Sequence, residues 1–380
     1  MELKEYRFDE VTINFDKKRV PLSGAQREKR QGKYRYYGAQ GVIDHIDDYI
    51  FDGTYLLIAE DGENLKSKKQ NIAQVVEGQF WVNNHAHIVQ GNELCDTRYL
   101  CYLLNSMDLS GYVTGSAQPK LSQANLNAVT LLLPPISIQK KIVEYLYMFD
   151  KKIAVNQQIN DNLEQQVQAY FQELFVDNAD PAWTLGTISD LGTVVGGSTP
   201  SKSKPEYYTE DGIAWITPKD LSINKAKFIS HGESDITELG LKNSSASIMP
   251  EGTVLFSSRA PIGYIAIASG EVTTNQGFKS VVPKPEIGTA YVYCFLKHNL
   301  PVIEGMASGS TFKEVSGSTM KNVPAVIPDT ETLTCFNDFC APIFAHQRIL
   351  EEQNQSLAAL RDSLLPKLMS GEIDVSAIQL

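Results

Sequence analysis

The pattern of apolar and polar positions predicts two long amphipathic helices. The first is predicted from about Ile138 to Phe175, where apolar residues recur every three or four positions. The second is predicted from about Leu333 to Met369, with apolar residues at heptad spacing, namely Ile343, Leu350, Leu357 and Leu364. Pro342 either kinks this helix or marks its start. At ~1.5 Å per residue each helix is on the order of 55 Å long, so we expect the two apolar seams to pack on each other.

Alternating and β-branched segments ahead of each helix predict a β-rich globule. The strand-like runs are Thr54–Ala59, Gln79–Asn83, Ile213–Ile216, Thr253–Phe256 and Tyr264–Ala268. A short helix and a last strand complete each globule, Tyr99–Ser106 with Val129–Leu133 and Tyr291–His298 with Val323–Ile327. The same order of elements therefore occurs twice.

The two halves also match residue by residue, which indicates an internal repeat. The segment from Gly115 to Pro134 aligns with that from Gly309 to Pro328, and the alignment continues without a gap as far as Leu174 and Leu368. Earlier segments match less cleanly, with Asn84 placed opposite Asn275. Asn160 and Asn354 are equivalent and fall near the helix seam, where an asparagine either fixes the register or lies exposed on the flank.

Composition limits the class of protein before any motif is considered. The chain has 380 residues, 42% of them hydrophobic, and a formal net charge of −11. Its length predicts two or three globular domains, and no apolar run reaches the ~18 residues of a membrane span. The five cysteines are never spaced as CxxC, which favours a reduced cytoplasmic location over a structural zinc site. Taken alone, the acidity argues against nucleic-acid binding.

The charge distribution changes that picture. Between Lys17 and Tyr37 there are eight basic residues and a single acid, Glu28. Cations interleaved with tyrosines are suited to contact DNA, although a solvated basic loop is the alternative. The candidates from this region and the lysines that follow it are Arg27, Arg30, Lys33, Arg35, Tyr36, Tyr37, Lys66 and Lys68.

Polar loops supply further candidates, because Arg hydrogen-bonds guanine and Asn or Gln hydrogen-bonds adenine in paired fashion. In the first half these are Asn84, His85, Gln118 and Lys120. In the second half they are Thr199, Ser201, Lys202, Lys204, Lys219, Arg259, Asn275, Gln276, Lys279, Thr311 and Lys313. For any single residue, a solvated loop position is the more ordinary interpretation.

Catalytic and metal-binding motifs are missing from the sequence. There is no phosphate-binding GxxxxGK[ST] and no HExxH. His85 and His87 alternate and are expected on one face of a strand, but polar contacts or packing are a simpler explanation than a metal. Asp61, Glu63 and Lys66 resemble a nuclease carboxylate–lysine set only vaguely, and an acidic turn is the simpler interpretation. We therefore expect a protein that binds rather than catalyses.

The joints between globule and helix carry a family resemblance. The sequences of residues 133–142 (LPPISIQKKI) and 364–373 (LLPKLMSGEI) resemble the helix joints of type I restriction–modification specificity subunits. Residues 36–41 and 80–87 resemble one class of target-recognition domain, and residues 183–188 and 196–200 another. The PxxxQ pattern of residues 135–139 is absent from residues 329–333, where the second helix begins.

This resemblance implies a fold. It is a mixed α/β architecture, in which two target-recognition domains are separated by two long helices that form an antiparallel coiled coil, with a pseudo-two-fold internal repeat. The implied boundaries are 1–134 for the first recognition domain, 135–180 for the central helix, 181–328 for the second recognition domain and 329–380 for the C-terminal helix.

The resemblance also implies a function and partners. The chain is expected to be the non-catalytic DNA recognition subunit of a type I site-specific deoxyribonuclease and adenine methyltransferase complex. Each domain would bind half of a bipartite, asymmetric site in double-stranded DNA, and the coiled coil would set the spacer. Two methyltransferase subunits and the restriction subunits would be partners and would hold S-adenosylmethionine, ATP and Mg, leaving no cofactor in this chain. A coiled-coil scaffold for protein partners and a stand-alone nuclease or methyltransferase are the alternatives.

Overall fold

The computed structural model describes residues 2–67, 70–115, 118–309, 313–373 and 375. Contacts divide the chain into two compact units. Unit 1 comprises Met1–Ile153 and Ser356–Leu380, and unit 2 comprises Ala154–Gln355. No helix in the described residues combines the length and the apolar character needed to cross a membrane.

Strands and short helices alternate in unit 1. In chain order they are β1 Lys4–Arg7, α1 Phe8–Val11, β2 Thr12–Asn14, α2 Gly24–Glu28, β3 Gln31–Gly38, β4 Gly41–Ile46, β5 Phe51–Ala59, α3 Asn64–Ser67, β6 Ala73–Val82, β7 Ala86–Gly91, α4 Thr97–Ser106, α5 Gln123–Asn127 and β8 Thr130–Leu133. The described strands form a six-stranded sheet in the order β2-β7-β5-β6-β3-β4 and a separate β1-β8 pair. In the larger sheet β3 and β6 are parallel and the other neighbours antiparallel.

The sequence pattern explains the core of unit 1. Strand β5 has a partner on both sides, and its apolar run Leu56–Ala59 is buried, as expected for a strand covered on both faces. Helix α4 buries one face through Tyr99, Leu100, Leu103 and Leu104. The carboxylate of Asp96 caps this helix by accepting hydrogen bonds from the first-turn backbone N–H groups.

Unit 2 contains the second set of elements. The two long helices are α6 Ile136–Gln172 and α13 Thr330–Ser370. Between them, in chain order, are β9 Thr184–Thr187, α7 Ile188–Leu191, β10 Gly192–Gly196, β11 Tyr208–Thr209, β12 Ile213–Ile216, α8 Pro218–Ile223, β13 Phe228–Ile229, β14 Ser234–Ile236, α9 Glu238–Lys242, β15 Val254–Ser258, β16 Ile262–Ala268, β17 Thr273–Thr274, β18 Lys279–Pro283, α10 Thr289–His298, α11 Leu300–Gly305, α12 Gly317–Lys321 and β19 Pro324–Ile327. The described strands form three sheets, β10-β18-β15-β16-β13, β11-β14-β12-β17 and β9-β19.

The internal repeat is visible in corresponding hydrogen bonds of the two units. Ser122 caps α5 by accepting from the Asn125 N–H, and Ser316 caps α12 by accepting from the Thr319 N–H. The strand that follows each of these helices pairs antiparallel with the first strand of its own unit, β8 with β1 and β19 with β9. The sequence repeat is therefore a repeat of supersecondary structure.

Both predicted long helices are present. Helix α6 is Ile136–Gln172 and continues into a π-helical turn, Glu173–Asp177. Helix α13 is Thr330–Ser370. The idea that Pro342 marks its start is wrong, because the helix begins twelve residues earlier and runs through the proline. Asp329 fixes this start by accepting hydrogen bonds from the Thr332 N–H and hydroxyl, both at 2.8 Å.

The two helices pack antiparallel within unit 2. The Asn156 amide donates to Asn354 Oδ1 at 2.9 Å, the Gln347 amide donates to the Asn160 carbonyl at 3.1 Å, and Tyr170 stacks on Phe336. The residue number therefore rises along one helix as it falls along the other. The buried partner of Asn354 is Asn156 and not the repeat-equivalent Asn160, which lies one turn away.

Candidate nucleic-acid interface

Three loops meet at one end of the six-stranded sheet in unit 1. They are residues 60–66 after β5, residues 83–85 between β6 and β7, and residues 114–115 with 118–121 before α5; we call them loop end 1. The Glu60 N–H donates to the His85 carbonyl at 2.9 Å, and the Leu121 N–H donates to the Glu60 carbonyl at 2.8 Å. These backbone bonds hold together three segments that lie far apart in the sequence.

Unit 2 contains the same arrangement. The Ser258 N–H donates to the Gly277 carbonyl at 2.7 Å, and the Val315 N–H donates to the Ser258 carbonyl at 3.0 Å. We call residues 258–261, 275–277, 308–309 and 313–315 loop end 2. Ser308 and Glu314 form the same two-way backbone bridge as Thr114 and Lys120.

The middle loop of each end is an Asx turn. The His85 N–H donates to Asn83 Oδ1 and the Gly277 N–H to Asn275 Oδ1, both at 2.8 Å. Asn275 is therefore the counterpart of Asn83, and the earlier alignment with Asn84 is wrong by one residue. Asn84 corresponds instead to Gln276, so each turn presents an exposed amide at the same place.

Five of the predicted residues lie in loop end 1, and all five are exposed, namely Asn84, His85, Gln118, Lys120 and Lys66. The Lys66 ammonium, the fifth, donates to the Gly115 carbonyl at 2.9 Å. Two of the others contact the acids after β5, with His85 Nδ1 2.7 Å from Asp61 and Lys120 Nζ 3.3 Å from Glu60.

A buried polar network supports loop end 1. His87 Nδ1 lies 2.6 Å from the Asp16 carboxylate and its Nε2 lies 2.8 Å from the Leu121 carbonyl. Burial alone raises the pKa of Asp16, but hydrogen bonds from His87 and the Ile88 N–H outweigh it and hold that pKa below its usual value. Arg19, which was not among the predicted site residues, joins this network to Glu60 at 3.0 Å.

The metal interpretation of the two histidines fails on this geometry. His85 lies exposed against Asp61, whereas His87 is buried against Asp16. The expectation that both share a strand face is wrong, because β7 begins at Ala86 and His85 belongs to the turn. Among the described residues, no group of three or more His, Cys, Asp or Glu side chains is placed to hold a metal ion.

The basic segment around β3 lies outside loop end 1, and its arginines already have partners. Arg27 Nε donates to Asp44 at 2.8 Å, Arg30 Nε donates to Asp47 at 2.9 Å, and Arg35 donates to the Glu77 carbonyl at 2.8 Å. The hydrogen bond from Arg27 holds the pKa of Asp44 below its usual value. The acids that follow this segment in the sequence are thus its ion-pair partners.

Tyr36 and Tyr37 are core residues and do not fit the predicted role. Tyr36 is fully buried and its hydroxyl accepts a hydrogen bond from the Leu22 N–H at 2.8 Å. Tyr37 is buried and packs edge-on against Phe80. Because both rings are buried, the prediction that Tyr36 and Tyr37 contact DNA is wrong, and they are structural residues. Lys33 remains exposed, with its ammonium 5.0 Å from the centre of the Tyr34 ring.

An open cleft of about 700 Å³ lies beside loop end 2. Six of the residues predicted from sequence line it together: Thr199, Lys202, Lys219, Arg259, Asn275 and Gln276. The cleft contains both hydrogen-bond donors and acceptors, as well as the ring of Trp215, whose indole N–H donates to the Ser198 carbonyl at 3.0 Å. Sequence analysis missed Trp215, since a tryptophan in a buried strand is ordinarily a core residue.

Gly197 allows the loop of residues 197–204 to reach this cleft. A Cβ atom at position 197 would lie 2.0 Å from the Asn275 carbonyl oxygen, so a larger residue there would displace the loop. The Ser198 N–H donates to the Thr274 carbonyl at 2.8 Å, and the Thr199 hydroxyl bonds the Gln276 amide oxygen. The polar loop predicted from sequence is therefore joined to the Asx turn.

The remaining predicted residues of unit 2 surround this region. Lys279 Nζ lies 3.7 Å from Glu314, and Lys204 Nζ lies 3.7 Å from Glu206. Ser201 contacts the Ser203 hydroxyl at 2.9 Å, and Lys313 lines a smaller hollow with Ala260 and Pro261. Lys68 and Thr311 fall outside the described residues.

The two-fold repeat, the long helices and the matched loop ends together define a chain that presents two similar polar surfaces. Residues 2–165 and 182–353 match the family model of the type I restriction modification DNA specificity domain, and the chain belongs to that family. It is the DNA specificity subunit of a type I restriction–modification system, and specificity subunits are non-catalytic.

Relatives agree with this assignment. The chain is 40% identical to the type I restriction enzyme MjaIX specificity subunit of Methanocaldococcus jannaschii over 191 residues, which are 48% of this chain and 44% of that protein. It is 24% identical to the type I restriction enzyme HindI specificity subunit of Haemophilus influenzae, over 85% of this chain and 84% of that protein. The crystal structure of a type I S subunit from M. genitalium shares the fold, with a TM-score of 0.56, 15% identity and coverage of 97% and 96%.

Proposed function

We propose that loop ends 1 and 2 each bind one half of a bipartite, asymmetric DNA site. The observation that carries this proposal is the equivalence of the two ends, which have the same backbone hydrogen bonds but different side chains. A shared frame places each surface on DNA in the same way, and different side chains then select different bases. Cations at the rim would contact phosphates, and amide and guanidinium groups would contact base edges.

The proposed DNA-contacting residues follow from their positions. In unit 1 they are the loop-end residues Lys66, Asn84, His85, Gln118 and Lys120, with Lys33 as an outlying phosphate contact. In unit 2 they are Thr199, Ser201, Lys202, Lys204, Lys219, Arg259, Asn275, Gln276, Lys279 and Lys313. Arg27, Arg30 and Arg35 would act by holding the β3 region in place, because their guanidinium groups already have acceptors.

We further propose that the long helices set the unread spacer. The functional division would follow residues 1–134, 135–180, 181–328 and 329–380. Two methyltransferase subunits and the restriction subunits would bind this chain, and S-adenosylmethionine, ATP and Mg would be held by those partners.

Methylation mapping tests the proposal. The chain is co-expressed with its methyltransferase subunits, and modified bases are sequenced across the genome. We expect one split motif, and we expect that replacing residues 1–134 with the equivalent domain of another specificity subunit changes one half only. An unsplit motif, or a motif that ignores this replacement, would contradict the proposal. The same replacement in a chain expressed without partners serves as the control for background methylation.

A further inference from the structure

Loop ends 1 and 2 carry opposite charges at two equivalent positions, although each selecting side chain has a different kind of ion-pair partner. Because Glu60 and Ser258 make equivalent backbone bonds, Asp61 corresponds to Arg259, and Lys120 corresponds to Glu314. In loop end 1 the acids follow the strand, and the cation Lys120 faces them from the third loop. In loop end 2 the cation Arg259 follows the strand, and its guanidinium lies 3.5 Å from the Glu314 carboxylate.

We propose that the position after this strand, Asp61 in unit 1 and Arg259 in unit 2, is the base-selecting position of each surface. Arg259 would donate two hydrogen bonds to a guanine, and Asp61 would accept from the amino group of a cytosine or an adenine. Glu314 is a positioning residue, which holds Arg259 when DNA is absent, and in loop end 1 the Asp61 carboxylate is held by His85 at 2.7 Å. This inference rests on the proposed function and specifies which residue carries selectivity in each half.

The surroundings of Arg259 fit this role. Its backbone is anchored on the preceding side, where the buried Ser258 donates to the Gly277 carbonyl through its N–H at 2.7 Å and its hydroxyl at 3.0 Å. On the following side Ala260 has a φ of 52°, a left-handed conformation that is costly for a residue other than glycine. Arg259 lines the cleft together with Asn275 and Gln276, and its side chain is 37% exposed. A half-exposed cation on a fixed backbone is suited to selective contact.

The facing carboxylate explains how such a contact discriminates. When DNA binds, a guanine can replace Glu314 as the acceptor for the Arg259 guanidinium, because its O6 and N7 accept the same donors in bidentate geometry. Another base lacks this pair of acceptors, so Arg259 would stay with Glu314 and leave a carboxylate facing the DNA. In loop end 1 the selecting side chain is the acid: Asp61 accepts from His85, and Lys120 pairs with the neighbouring Glu60.

Substitutions at the two positions, made in the chain assembled with its methyltransferase subunits, test the inference. We expect Arg259→Ala to make one guanine position of the unit 2 half-site degenerate and to leave the other half unchanged. Asp61→Asn should relax one position in the unit 1 half only. In competition binding with oligonucleotides that differ at that single base pair, we expect the preference to fall from about 5- to 150-fold to near unity.

Further variants separate selectivity from folding. Arg259→Lys keeps the charge without the bidentate fork, so it should broaden the same position even if Arg259→Ala fails to assemble. Glu314→Gln should reduce the guanine preference, because the competing acceptor loses its charge, and should strengthen binding to unrelated DNA. Lys242→Ala removes an exposed cation on α9, paired with Glu238, and is the matched control. An unchanged motif in both Arg259 variants would overturn the inference while the split motif stands, whereas a wild-type motif that is not split would instead reject the proposed function.

Discussion

Arg27 and Lys33 lie six residues apart in one basic segment but have different surroundings. The Arg27 guanidinium donates to Asp44 at 2.8 Å and to the Leu22 carbonyl at 2.9 Å, and it lies 5.2 Å from the centre of the Tyr36 ring. Lys33 is exposed and contacts the ring of Tyr34. We infer that Arg27 stabilises the domain and that Lys33 is placed to contact phosphate.

Alanine substitutions at these two positions should separate the roles. Arg27→Ala removes the charged donor to Asp44 and one donor to the Leu22 carbonyl, so we expect a lower melting temperature. Lys33→Ala should leave the melting temperature unchanged, weaken DNA binding of all sequences alike, and reduce the slope of log affinity against log salt by about one. Thermal unfolding and binding at several salt concentrations measure both. A normal melting temperature for Arg27→Ala together with weaker binding would mean that the Arg27–Asp44 pair opens on DNA.

Individual residues also show how much of the candidate site can be predicted from the sequence. Six of the cationic and polar residues singled out from the sequence line one cleft, because such side chains are costly to bury without partners and stay at the surface; their contact with DNA stays a prediction. Sequence reasoning misplaced Tyr36 and Tyr37, since an aromatic side chain serves equally well in a core and on a surface. The sequence alone does not show that Arg27 pairs with Asp44. That pairing depends on strand register, which composition does not determine.

At the scale of elements, periodicity predicted the long helices well and their contacts less well. A 3.6-residue period identifies the buried face of a helix but not which turn meets which turn of its partner. This is why the sequence singled out Asn160, which does lie at the seam and accepts from Gln347, whereas Asn156 is the residue that bonds Asn354. Hydrogen bonds between backbone groups of distant loops, such as those that define the loop ends, leave no periodic signal at all.

A buried charge cluster joins the helices to the sheets within unit 2. Glu164 of α6 forms ion pairs with Lys227 and with Lys297, the latter at 2.6 Å. Burial alone raises the pKa of Glu164, but the two ammonium groups outweigh it and lower that pKa to about 2. Glu351 of α13 accepts from the Lys227 N–H at 2.8 Å and the Phe228 N–H at 3.0 Å. Burial raises the pKa of Glu351, so its contribution has the opposite sign.

Stability should therefore depend on pH through Glu164. A folded-state pKa below the ordinary 4.5 contributes stability above pH 4.5, and this contribution is lost as the pH falls toward 2. We expect Glu164→Gln to lower the free energy of unfolding at pH 7 by roughly 3 kcal/mol and to remove much of the wild-type loss between pH 5 and pH 2. Urea unfolding across this pH range gives the free energy of unfolding against pH for wild type and for Glu164→Gln.

Glu238→Gln, at an exposed carboxylate on α9, is the control and should be nearly neutral. Equal pH dependence for wild type and Glu164→Gln would contradict the prediction.

For the whole molecule, the net charge of −11 is a misleading guide to DNA binding. The acids are not spread at random, since Glu60 and Glu314 each face a cation in the loop ends proposed to meet DNA, and Asp44 and Asp47 pair with arginines of the basic segment around β3. We expect such pairs to limit attraction to any phosphate backbone and to leave binding dependent on the right bases. The net charge of the whole chain does not reveal this pairing of acids with cations. The internal repeat in the sequence was the better guide, because it indicated two equivalent surfaces.

The proposed spacer function predicts that paired insertions in the long helices change the distance between half-sites. Both helices pass from one unit to the other, α6 after Ile153 and α13 after Gln355, and these are the insertion points. About 25 added residues in each helix make nearly seven α-helical turns and ~37 Å, close to one turn of DNA, so both helical phases are kept. We expect the methylated motif to retain both halves with a spacer longer by about ten or eleven base pairs.

Seven-residue insertions add ~10 Å, or about three base pairs, and turn the second half-site by roughly 100° around the duplex, so methylation should be much weaker. Mapping modified bases for both variants distinguishes them, and a long-insertion variant that keeps the original spacer would show that the helices do not set it.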